Sequence, residues 1–161
     1  MKIINLVGKL GKGKVVIIDD IDFEKIKKYL WYWLPYKKHG YAWAKVNKKT
    51  LLLHRFILNT PKKMVTDHKN GNGLDNRREN IRICTMSENL IYKGKLINNT
   101  TGYKGVYHEK RSKRNPWFVR LMVKGKLYCL GCYKTKTDAA LAYNKAALKY
   151  HGKFAYLNKI I

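Results

Sequence analysis

The sequence predicts an α+β chain. A β-rich N-terminal region leads into a strand, loop, strand and helix unit, and a three-stranded antiparallel sheet packed on one helix follows. Two observations carry this: short β-branched and aromatic runs separated by Gly and Asn turns dominate the chain, and apolar residues take helical spacing in only a few stretches. A length of 161 residues holds one ordinary domain or two small ones with thin cores, which excludes a large multidomain enzyme.

Taken in order, MKIINLV and KVVIIDD read as strands joined through GKLGKG. Asp22 is placed to cap a helix whose Phe23, Ile26, Leu30 and Trp33 form one stripe, ended by Pro35 and Gly40. YAWAKVNKKTLLLHRFIL reads as a hairpin turning at Asn47, Lys48 and Lys49, and Pro61 closes this 1–60 region. Residues 61–92 give a strand at Met64 and Val65, a long polar loop, a second strand at Ile81, Arg82 and Ile83, and a short helix. Thr85 and Glu88 have capping-box spacing at its start. KGKLINNTT (93–101) reads as a linker. In 102–158, YKGVYH, PWFVRLMV and KLYCLGC read as strands, the last two joined at Lys124-Gly125. The closing helix runs from about Asp138 to Tyr150, capped by Thr137 and stopped by Gly152, with Ala139, Tyr143, Ala146 and Tyr150 on one face.

Charge narrows the function. Thirty-five Lys and Arg against ten Asp and Glu give a net charge of +25, which repels itself unless a polyanion compensates it. A hydrophobic content of 45% is too high for a disordered basic tail. The expected partner of this folded basic protein is a nucleic acid. No apolar run reaches membrane-spanning length, and the N-terminus breaks on Gly and Lys before a signal-peptide core forms. The expected location is therefore cytoplasmic and DNA-associated, not secreted. Three cysteines cannot all pair, and Cys129 and Cys132 read as buried apolar residues of a strand rather than half of a zinc site with His108 or His151. Gly8 to Lys14 has phosphate-loop spacing, but Val15 replaces the Ser or Thr that holds magnesium, and a strand follows where a helix must open.

The chemistry concentrates at Asp67-His68, on a strand end followed by the turn-forming Lys69-Asn70-Gly71-Asn72-Gly73. Asn80 follows His68 by 12 residues and Asn89 by 21. Cutting a phosphodiester requires a base that takes a proton from water and a divalent cation that holds phosphate and leaving-group oxygens. His68 and Asp67 are the right residue types, and Asn89 offers a second oxygen ligand.

The stretch LHRFILNTPKKMVTDHKNGNGLDNRRENIRICTMSENL resembles the HNH homing-endonuclease family, built on a ββα-metal nuclease unit. The resemblance implies that Asp67 and Asn89 hold one divalent ion, Mg2+ or Mn2+, that His68 activates water, and that Asn80 braces the loop. Arg77 and Arg78 would lie near substrate phosphates. His54 and Arg55 match the family's preceding His-Arg pair, whose role stays open. Leu90, Ile91 and Tyr92 depart from the Asn and basic residues that often follow in the family. The 1–60 region looks like the leader that precedes such motifs in mobile endonucleases.

Residues 102–158 resemble the APETALA2/ERF DNA-binding domain, with its YKGV start, LG turn and Ala-rich helix. Trp117, Val119, Leu121 and Val123 alternate with Phe118, Arg120 and Met122, so one sheet face suits the helix and the other is free. The resemblance implies double-stranded DNA contacts at Lys104, Tyr107, Glu109, Arg120, Met122, Leu127 and Cys129. Arg111 and Arg114, beside Lys110 and Lys113, would meet phosphates. RNA stacked on Tyr103, Tyr107 and Phe118 is an open alternative. Together the two resemblances imply a site-specific, divalent-metal-dependent homing endonuclease, a monomer or weak dimer without a small-molecule cofactor. One site per chain suggests nicking. The other reading is a DNA-binding regulator with an inactive nuclease unit.

Overall fold

The N-terminal hairpin forms where β-branched runs flank a glycine-rich turn. β1 (Lys2–Asn5) pairs antiparallel with β2 (Val15–Ile18), and Val16 and Ile18 are buried on the inner side. The computed structural model describes residues 1–36, 39–95 and 98–160. Contacts divide the chain into two units, Met1–Thr85 and Met86–Ile161.

In the first unit, α1 (Asp20–Ile26) starts after Asp19, three residues earlier than a cap at Asp22. It also ends sooner than the apolar stripe implied. Trp31, not Trp33, fills the core, its indole N–H donating to the Ile26 carbonyl at 3.0 Å, and Leu30 is exposed. Trp33 lies in β3 (Tyr32–Tyr36), because spacing alone fits both a helix and a chain reversal around a buried tryptophan. β3, β4 (His39–Val46) and β5 (Lys49–Leu52) form an antiparallel sheet in that order. Asn47 and Lys48, at φ 48° and 65°, make the β4–β5 turn, a conformation Asn tolerates. LHRFIL continues not as strand but as α2 (Leu53–Leu58), since Leu53, His54 and Ile57 bury one helical side and left-handed Asn59 closes it.

β6 (Val65–His68) and β7 (Ile81–Cys84) pair antiparallel, with His68 opposite Ile81 and Asp67 opposite Arg82. One core joins Leu6, Val16, Ile18, Ile26, Trp31, Leu53, Ile57 and Ile81. The leader and the strands of the Asp-His segment are therefore packed as one body. The Ile17 amide and carbonyl bond residues 74 and 76 of the loop at 2.9 and 2.8 Å.

The second unit begins with α3 (Met86–Tyr92), so the division falls inside 61–92. β8 (Val106–His108), β9 (Trp117–Val123) and β10 (Lys126–Tyr133) form an antiparallel sheet in the order β10-β9-β8. Lys124 and Gly125, both at positive φ, turn β9 into β10. α4 (Lys136–His151) is capped by Thr135 rather than Thr137: the Thr135 hydroxyl accepts from the Asp138 amide and donates to its carboxylate. Its buried face is Ala139, Ala140, Tyr143 and Ala147, and Tyr150 turns out to solvent. Gly152 closes it. The linker's end is bound into this unit. The Asn99 side chain accepts from the Gly102 amide, and buried Thr101 donates to the Val106 carbonyl at 2.9 Å. Leu96 and Ile97 of that linker lie outside the described residues. Among the described residues, no helix is long and apolar enough to cross a membrane.

Gly105 is where β8 can approach α4. Its φ is 73°, and a Cβ there would meet the Tyr143 ring at 2.3 Å and the Arg120 carbonyl oxygen at 2.6 Å. Gly105→Ala should therefore destabilise the second unit by about 2 kcal/mol or more, lowering its urea midpoint while that of the first unit is unchanged. Amide NMR signals of residues 106–150 and 2–84, followed separately through the titration, check this.

Candidate functional site

The loop between β6 and β7 has no regular ladder, so its own asparagine side chains satisfy part of its backbone. Asn80, which is 6% exposed, accepts from the Asn70 amide at 3.0 Å and donates to the Asp75 carbonyl at 2.7 Å and to the Asn70 side chain at 3.0 Å. Asn70 and Asn72 in turn accept from the amides of Asn72 and Leu74. Gly73 meets β4 so closely that a Cβ would sit 2.2 Å from the Gly40 carbonyl oxygen. This scaffold holds the end of β6, where Asp67 and His68 are neighbours and the Asp67 charge acts on the His68 ring.

His68 is buried, and its Nε2 lies 3.3 Å from the Oδ1 of Asn76. Asn76 is fully buried and donates its Nδ2 to the Gly73 carbonyl at 3.2 Å. That second bond fixes the amide's orientation, so Oδ1 accepts and His68 carries its proton on Nε2. Nδ1 is left with the lone pair, and among the described residues no group hydrogen-bonds it. Burial holds the His68 imidazole below its usual pKa, partly opposed by the Asn76 bond and the negative charges of Asp67 and Asp75. The ring is neutral near pH 7, the form a base requires.

Asp67 is ion-paired with Arg82 opposite it on β7, whose Nε and Nη2 both donate to Oδ2, at 3.0 and 2.8 Å. Among the described residues nothing donates to Oδ1. The carboxylate thus keeps one oxygen for a cation while the other is anchored, which fits a metal ligand. Asn89 is half-buried on α3, in the second unit. Among the described residues no three His, Cys, Asp or Glu side chains cluster as metal ligands.

Neither of the two loop arginines assigned to phosphates is free. Arg77 pairs with Asp75 and Glu79, and Arg78 pairs with buried Asp22 at 2.7 Å while its amide donates to Asp19. Arg77 braces the loop from within, and Arg78 clamps it to α1 and the residue before it. Arg55 is structural as well, donating to the carbonyls of Thr60, Pro61 and Met64 just before β6.

Three side chains gather around His68 that the sequence did not single out for this role. His54 packs edge-on against it with centroids 5.0 Å apart, and Tyr41 lies 5.2 Å from His54 and 5.9 Å from His68. Asn76 is the third. No sequence signal distinguishes it from the other loop asparagines. Arg82 was visible as a strand residue, but its pairing with Asp67 depends on register. Among the described residues the buried Nδ1 of His54 has no partner, and its pKa falls to about 3, chiefly through burial, with the His68 and Arg55 charges adding.

In the second unit, the register places three rows on the sheet face away from α4: Tyr107, Phe118 and Cys132; Arg120 and Cys129; Met122 and Leu127. Tyr107 stacks on Phe118 at 5.2 Å, and the Arg120 guanidinium lies 4.7 Å from the Phe118 centroid. Cys129 and Cys132 are exposed, not buried as the strand pattern implied. A bulge between Cys129 and Gly131 shifts the alternation and brings Cys132 onto the same face as Cys129. They border a cavity of about 280 Å³ with Glu109, Ser112, Asn115, Phe118 and Arg120. Arg111 and Arg114 are exposed, and Glu109 accepts from the Arg111 amide. Tyr103 is buried in the core and offers no stacking surface. Lys104 is half-buried and bonded to backbone carbonyls.

His54 gives a pH test. Its folded pKa lies below its unfolded value of about 6.5. The unfolded chain therefore binds a proton that the folded chain refuses, and stability falls as pH drops from 7 toward 5. In His54→Phe, the metal-free protein's urea midpoint should fall less over that interval than the wild type's; equal slopes would contradict the assignment.

Residues 59–91 match the family model described as HNH endonuclease. An uncharacterized HNH endonuclease of Acanthamoeba polyphaga mimivirus is 29% identical over 161 residues, covering 96% of this chain and 80% of its own. No solved structure matches the chain. The segment that carries Asp67, His68, Asn80 and Asn89 is thus similar to the HNH endonucleases.

Proposed function

We propose that the protein is a site-specific, homing-type DNA endonuclease that hydrolyses one phosphodiester bond per visit, a nickase. The observation that carries the reading is the neutral, buried His68 with its Nδ1 lone pair left open by the Asn76 bond, one residue from an Asp67 carboxylate with one open oxygen. His68 Nδ1 takes the proton of the attacking water, and the Asp67 and Asp75 charges favour the imidazolium that forms. Arg82 keeps Asp67 oriented. Asp67 and Asn89 would hold a divalent cation, Mg2+ or Mn2+, which supplies charge stabilisation at the phosphate and leaving oxygens. Asn80 keeps the strand end in place without touching substrate.

The outer face of the second unit's sheet is the proposed target-binding surface for double-stranded DNA. Arg120, packed on Phe118 and Tyr107, is the one cation in its three rows, suited to the two acceptors of guanine in the major groove. Arg111 and Arg114 flank it for phosphates. Arg77, Arg78 and Lys104 are left out of the DNA contacts, because carboxylates or carbonyls already engage them.

Magnesium-dependent nicking of supercoiled plasmid tests the reading. His68→Ala should reduce single-turnover cleavage by a factor of about 10² to 10⁴ at unchanged DNA affinity. Asp67→Ala should raise the magnesium concentration needed. Cleavage by His68→Ala at the wild-type rate would remove the base. Binding without nicking under any divalent cation would favour a DNA-binding regulator with an inactive nuclease unit.

A second prediction separates the arginines. Arg111→Ala and Arg114→Ala should each weaken binding to all sequences and reduce the log-log salt slope by about 0.9. Arg120→Ala should blur one base position in a binding-site selection. Recovery of the wild-type motif by the Arg120 variant would remove it from base readout.

A further inference from the structure

We propose that Lys104 is a positioning residue for α3: its ammonium caps the carbonyl end of that helix and ties Asn89 to the sheet unit. The proposal rests on the reading of Asn89 as a metal ligand.

α3 has seven residues and none of them is buried. A helix this short is unstable alone, and without a buried face its placement depends on a few polar bonds. Its last carbonyls lack intrahelical partners. Lys104 Nζ donates to the Ile91 carbonyl at 2.5 Å and to that of Lys93. The Lys93 amide donates back to the Asn89 carbonyl at 3.3 Å, so the bonded path from the ammonium reaches the candidate ligand's own backbone. A cation at this end also meets the negative pole of the helix.

The lysine is held from the other side as well. Its ammonium lies 5.3 Å from the Tyr156 ring centroid, and a Cβ on Gly94, just after α3, would meet that ring at 3.2 Å. Asn158, which is 6% exposed, accepts from the Lys104 amide at 2.7 Å and donates to its carbonyl at 3.0 Å. Asn144 of α4 in turn makes two bonds to the Asn158 backbone, at 2.9 and 2.7 Å. A continuous polar path therefore runs from α4 through Asn158 and Lys104 to the end of α3. Burial pushes the Lys104 pKa down to about 8, which marks an amine withdrawn from water. The two carbonyls take two of its three N–H donors.

The test compares full-length wild type, Lys104→Met and Lys104→Arg by amide hydrogen exchange, DNA binding against salt, and nicking against magnesium. In Lys104→Met, residues 89–93 should exchange about tenfold faster, with residues 65–68 and 117–123 unchanged. The salt slope should stay at the wild-type value, and half-maximal nicking should need several-fold more magnesium. Lys104→Arg, which keeps donors and charge, should recover part of both effects. Unchanged exchange over 89–93 would overturn the proposal, and so would a slope lower by about 0.9, which would make Lys104 a phosphate contact. If Lys104→Met also speeds exchange over 117–123, the exchange of Lys104→Gln is decisive in its place: acceleration confined to 89–93 supports the cap, and none overturns it. Faster exchange at α3 in a chain whose wild type never nicks would uphold the cap and remove the nuclease reading.

Discussion

The loop after His68 folds on amide groups rather than on a core. Asn80 satisfies a backbone amide ten residues away and a carbonyl five away, and Asn70 repeats the pattern on a smaller scale. Such bonds are individually modest, but leaving one of these buried groups unsatisfied would cost about 1 to 3 kcal/mol. The placement of Asn76, and with it the choice of which His68 nitrogen keeps a lone pair, follows from this internal framework. The chemistry at the strand end therefore depends on asparagines that need never touch a substrate.

Around that loop the first unit acts as a brace. β2 contributes an amide and a carbonyl to residues 74 and 76, α1 contributes Asp22 to Arg78, and β4 comes close enough to Gly73 to exclude a side chain. The N-terminal residues pack against this loop and share its core. Acidic residues are scarce here, ten in all, and Asp19, Asp22, Asp67 and Asp75 are spent on arginines in this region. The residual positive charge is left on other surfaces, among them the loop of Arg111 and Arg114.

What the sequence made legible were features set by local chemistry. The Asn47-Lys48 and Lys124-Gly125 turns followed from residues that tolerate positive φ, and the alternation in β9 separated its inner and outer faces. The Asp67-His68 pair was visible as adjacent residue types at a strand end. Features set by tertiary register were not. The 3, 4, 3 spacing pointed to Trp33, and only the folded core shows that Trp31 is the tryptophan it encloses. LHRFIL carries enough aliphatic character for either strand or helix. Lys104 and the Arg77-Arg78 pair looked like free cations because a sequence does not show which carbonyl or carboxylate will arrive beside them. His54 and Tyr41 come to His68 from other elements, a meeting that no spacing encodes.

The bulge in β10 has a chemical consequence of its own. By adding one residue between Cys129 and Cys132, it gives the chain two thiols open to solvent on one sheet face, while Cys84 stays sealed in the interior. Alkylating reagents can therefore sort the cysteines by accessibility alone, marking the face around Arg120 without entering the first unit. In air the same pair makes this face the chain's most oxidisable surface, so its handling calls for a reductant that the rest of the fold does not need.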